Sequence, residues 1–163
     1  MNRLAKFVAC AGVAAVTASA AAAQNIVMQK TLSLGLAKTI AEATLAECKS
    51  KGFTTSAVVV DRAGQVLVML RDEGATAQTA EMARRKAFTA RMFRTSTLEF
   101  QKRTQDPTYA AQRDVTDILA LGGGVPIQIG DEIIGGVGSS GSSQPQDDAC
   151  AKAGVAKVAA LLK

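Results

Sequence analysis

The stretch EIIGGVGSSGSSQPQDDA (residues 132–149) decides how the chain is read. Gly136, Gly138 and Gly141 spell G-x-G-x-x-G directly after an apolar run, the spacing of a dinucleotide-binding fingerprint. That fingerprint needs a helix starting inside the motif, a second parallel strand, and an acidic residue about 20 positions on. Here the loop continues through Ser142, Ser143 and Gln144 before a helix can begin, and the residue about 20 positions beyond Gly141 is Leu161. The sequence therefore argues against a nucleotide site. Bare glycines on a strand weaken it unless something lies close against them. A helix, another subunit or a flat ligand are the candidates. The four serines around Gly141 lead to a helix N-terminus, which suits either a plain turn or an anion.

Outward from this stretch, the chain reads as one α+β domain. Leu34, Ala37, Ala41, Leu45 and Cys48 recur at helical steps, predicting a helix over residues 31–51 capped by Thr31 or Ser33. SAVVVD and QVLVMLR flank a DRAG turn and predict a hairpin. Asp61 reads as the Asx residue of that turn rather than a catalytic group. Residues 74–93 predict a second helix with a small-residue face at Ala80, Ala83, Ala87 and Ala90. Thr95 is the expected cap of a short third helix, and TQDPTYAAQRD reads as loop, with Pro107 barring a helix. Residues 118–141 offer three short strands, and a last helix runs from Pro145 to Leu162, its positive end suited by Asp147 and Asp148. The expected order is α-β-β-α-α-β-β-β-α, an antiparallel sheet with helices packed on it.

The front end has the layout of a secretory signal: Arg3 and Lys6, an apolar run, then Ala21, Ala22 and Ala23 before Gln24. The expected division is a signal peptide at 1–23 and a domain at 24–163, periplasmic or secreted, with no membrane segment in the mature form. Arg3 and Lys6 depart with the signal, so the formal net charge of +5 falls and nucleic-acid binding is not indicated. Cys10 leaves too. Cys48 and Cys150 remain, an even pair that after export reads as a disulfide or as two buried thiols that never meet.

The sequence contains no His and no Trp. A Ser–His–Asp triad on Ser139 is therefore impossible, and the commonest metal ligand is missing. Lys86 as a Schiff-base nucleophile would require burial. Two short acidic pairs, Asp72–Glu73 and Asp147–Asp148, are weak ground for a cation site. The second helix is loaded with Arg84, Arg85, Lys86, Arg91 and Arg94. They form either a solvated face, with Glu81 pairing Arg85, or a clamp for carboxylates.

Taken in order, LSLGLAKTIAEATLAECKSKGF, AVVVDRAGQVLVMLRDEGA, ARRKAFTARMFRTST, LALGGGVPIQIGDEIIGGVGSSG and DDACAKAG resemble the GlcG/HbpS haem-binding family, which also occurs as the C-terminal part of PduO-type proteins. The resemblance covers nearly all of residues 31–163. It implies a profilin-like fold with a five-stranded antiparallel sheet, homo-oligomeric assembly, and haem or a small organic acid as ligand. Its exported branch carries cysteines at the places of Cys48 and Cys150, which favours the bridge. Some relatives use histidine to hold iron. Here the possible donors are Met28, Met69, Met82, Met92, Tyr109, a free cysteine or Thr89. The candidate ligand-binding residues are Arg71, Arg85, Thr89, Tyr109, Gly123, Gly124 and Ser139, around a pocket between an arginine-rich helix and the glycine-bare sheet. An accessory or enzymatic role in hydroxy-acid or aldehyde oxidation, or in haem degradation, is the alternative.

Overall fold

The computed structural model describes residues 27–163, so the expected signal lies outside the described residues. The elements are α1 (Leu34–Ser50), β1 (Ser56–Val60), β2 (Val66–Arg71), α2 (Gln78–Phe93), α3 (Thr97–Arg103), α4 (Pro107–Ala110), β3 (Gly124–Ile129), β4 (Glu132–Ser140) and α5 (Gln144–Lys157). Short 3-10 turns follow α4 and α5.

The sheet has the strand order β2-β1-β4-β3, antiparallel throughout. Its two faces are set by strand alternation. Ala57, Val59, Val125, Ile127 and Val137 point to one side and join Ala37, Ile40 and Ala41 of α1 and Ala151 of α5 in the main core. Val58 and Val60 point to the other side and meet Ala83 and Ala87 of α2. The sheet is thus a middle layer, with α1 and α5 below and α2 above.

Ser33 caps α1, its hydroxyl accepting from the Leu36 N–H. Cys48 near the end of α1 is bonded to Cys150 of α5, with Cα atoms 5.5 Å apart, so the two helices of the lower layer are joined covalently. Asp61 forms the expected Asx turn: its Oδ1 accepts from the N–H groups of Ala63 and Gln65, and Gly64 takes a φ of 83°.

Three expectations are corrected. The described sheet has four strands, not five, because residues 118–121 form no ladder. Their backbone is taken by α2 instead: Arg85 donates to the Ile118 carbonyl and the Leu119 N–H donates to Thr89 Oγ1. Paired polar groups of this kind leave no call for a neighbouring strand. The segment around Tyr109 is not loop throughout. Pro107 opens α4 at the first helical position, where its missing N–H costs nothing, and Asp106 caps the turn. Ser96, not Thr95, caps α3.

Candidate functional site

The glycines of β4 settle the opening question. Gly124, Gly138 and Val58 stand in one row across three strands, and Pro126, Gly136 and Val60 in the next. A Cβ on Gly138 would run into the carbonyl of Ala83, one on Gly136 into that of Ala87, and one on Gly124 into that of Lys86. The close partner is therefore the backbone of α2. The expected pocket between helix and bare sheet is filled, because the alanine face lets the helix main chain settle directly onto the pleats.

Gly123 and Ser139 belong to the same packed zone. Gly123 has a φ of 121°, and its carbonyl accepts from the Ser139 N–H at 2.8 Å. The Gly124 N–H donates to Thr97 Oγ1. Ser139 is fully buried, with its hydroxyl 3.5 Å from Asp147 Oδ1 and 3.7 Å from Cys48 Sγ. Beside them lies a pair that the sequence reading weighed one residue at a time and did not join. The Lys86 ammonium donates to Asp147 Oδ2 at 2.8 Å and to the Ser139 carbonyl at 3.0 Å, inside the protein. Burial pushes the lysine below its usual pKa, against the pull of Asp147. Asp147 Oδ1 also accepts from the Ser142 N–H and hydroxyl. The signal was present: Lys86 falls on the stripe defined by Ala83, Ala87 and Ala90, so helical geometry had already placed it inward.

The arginines of α2 have separate fates. Arg84 binds Glu81 through two nitrogens and also Asp117; the two carboxylates raise the pKa of Arg84, and the hydrogen bonds from Arg84 lower that of Glu81. The expected Glu81–Arg85 pair is replaced by this three-residue spacing. Arg85 donates to Ile118 O at 2.6 Å, while its Nε is buried without a partner. Thr89 is buried and engaged twice, donating to Arg85 O and accepting from Leu119. Arg85 and Thr89 are thus brought together, as a staple for residues 118 and 119. Arg71 ends β2 and donates to the Ala75 carbonyl. Tyr109 stands apart on α4, partly exposed, beneath the guanidinium of Arg103.

The surface of the described residues includes two open clefts. One, of about 400 Å³, is lined by Gln29, Thr31, Asp61, Arg62, Ala63 and Arg91. The other, of about 350 Å³, lies along α1 and α5 beside Glu47 and Lys157. Among the described residues, no group of three or more Cys, Asp and Glu stands ready to hold a metal ion. The bonded cysteines are no longer available as iron donors. The exposed donors are Met28, Met69, Met92 and Tyr109.

A family model described as "Haem degrading protein HbpS-like" matches residues 32–156. A curated relative, an uncharacterised 15.0 kDa protein of the dhaT-dhaS intergenic region of Citrobacter freundii, is 31% identical over 120 residues, covering 72% of this chain and 84% of that one. Among solved structures, a double mutant of HbpS from Streptomyces reticuli matches with a TM-score of 0.78 at 32% identity, covering 94% of this chain and 97% of that one. A complex of PduOC with heme matches with a TM-score of 0.71 at 25% identity, covering 78% and 95%. The fold and the matched sequence agree, and the chain belongs to the HbpS-like family.

Proposed function

We propose that this protein binds haem, or a closely related tetrapyrrole, and serves haem handling outside the cytoplasm as a homo-oligomer. The observation that carries the reading is the family match over residues 32–156, together with a relative whose structure holds heme. The residues of this chain fit that group at the surface rather than in the core. Tyr109 and Met92 are exposed donors of types that hold haem iron, and arginines suit its propionates. Of the seven ligand-binding candidates named from the sequence, Arg71 and Tyr109 are the ones open to solvent. Arg85 and Thr89 reach a ligand by releasing residues 118 and 119.

Titration of the purified protein with haemin tests the reading. A saturable Soret shift is expected. Tyr109→Phe or Met92→Leu will move the Soret maximum, according to which side chain holds the iron. Absence of any saturable shift overturns the proposal. The family's description names haem degradation, so the same sample, given a reductant and peroxide, separates the two roles. Intact haem supports binding alone, and bleaching beyond that of free haemin supports turnover.

A further inference from the structure

The cleft at the hairpin is lined by two arginines, Arg62 and Arg91. Arg84, Arg85 and Arg62 each have a hydrogen-bond acceptor. Arg91 sits in the last turn of α2, with its Cβ against the bare backbone of Gly136. Its Nε is buried and has no partner among the described residues. The charges that act on it are those of the cations Arg62 and Arg94 and of the carboxylate of Asp61. Glu132 is held by Arg62 and Lys30. Asp61 has one oxygen committed to the two N–H groups of its own turn. The cations outnumber the anions, and, unlike Arg85, Arg91 has no acceptor for any of its guanidinium nitrogens among the described residues. Consistent with this, burial and the charges of Arg62 and Arg94 push Arg91 below the usual arginine range.

We infer that the cleft between the β1–β2 hairpin and the end of α2 binds the carboxylate of a small acid, with Arg91 as its guanidinium anchor and Arg62 as a second positive charge. A planar guanidinium takes a carboxylate in two parallel hydrogen bonds. Thr31 and Gln29, which also line the cleft, offer a hydroxyl and an amide to the rest of the ligand. The cleft's volume, about 400 Å³, suits a small organic molecule. The carboxylate has two possible sources, a free organic acid or a haem propionate reaching the cleft from a bound tetrapyrrole. The site itself does not depend on haem binding.

The test is nuclear magnetic resonance of the intact protein titrated with succinate, with sodium chloride matching ionic strength. Burial protects the Arg91 Nε–H from exchange, so its signal is a direct reporter. Saturable shifts are expected there and at the amides of Thr31 and Ala63. Arg91→Met keeps the stem over Gly136 and should weaken binding about tenfold or more. Asp61→Asn retains the turn-forming oxygen, removes a competing charge, and should tighten binding about threefold. Competition between haemin and succinate identifies the propionates as the natural source, and independent binding identifies a free acid; either result retains the site. No saturation in the wild-type protein, or an unchanged affinity in Arg91→Met, overturns it. Should that variant fail to fold, an Asp61→Asn protein that binds no more tightly does the same.

Discussion

At the scale of single residues, the ion pair of Lys86 and Asp147 is a costly feature of the interior. Both side chains are only 2% exposed. Removing one partner leaves a buried charge alone, so Asp147→Ala should cost about 3–5 kcal/mol in chemical denaturation. The Lys86→Met, Asp147→Leu double variant should come out close to wild type, because the desolvation penalty vanishes with the pair. The lysine's pKa is lowered by burial from an ordinary value of 10.5. Between the lowered and the ordinary value, the unfolded chain holds a proton that the folded chain has shed. Stability relative to Lys86→Met should therefore rise with pH across that window and stay flat below it; denaturation of both proteins over a pH series checks the sign. Glycines offer a second contrast. Gly138→Ala drives a methyl group into the Ala83 carbonyl and should cost about 3 kcal/mol or more. Gly35→Ala in α1 meets nothing and should gain up to about 1 kcal/mol.

At the scale of elements, the strongest constraint is the bond between α1 and α5. It spans 102 residues of sequence, and in the chain-entropy picture it contributes about 4–5 kcal/mol at most. The Cys48→Ser, Cys150→Ser double variant should lose stability up to that amount, read as a lower denaturation midpoint with a changed slope. The helices and the hairpin were legible in the sequence because their signals are local: periodic apolar residues and a DRAG turn. Residues 118–121 misled because ILAL has strand composition, while the partners that claim its backbone are side chains on α2, some 30 residues earlier. Pro107 misled for a related reason. The same residue ends one helix and begins another, and only the cap at Asp106 decides between them.

At the scale of the whole molecule, the family and the layered fold were readable from five ordered segments, while the site was readable only in part. Arg85, Thr89, Gly123, Gly124 and Ser139 do cluster on and beneath α2, but they are spent on packing and on holding a loop. Arg91 lay one turn further along the same basic helix, and only its place in three dimensions separates it from its neighbours. Haem binding, if it proceeds through Arg85 and Thr89, must loosen residues 118 and 119. Hydrogen exchange at Leu119 should then quicken when haemin is added, whereas a surface mode through Tyr109 leaves that amide protected.

The bare seam between α2 and β4 has one more effect. Side chains in an ordinary interface can change rotamer and let layers glide; here main chain touches main chain, with nothing soft between. Rotation of the helix would lift its carbonyls out of their grooves all at once. The upper layer is therefore a fixed anvil, and any response to an arriving guest is left to the segments hung from its outer side.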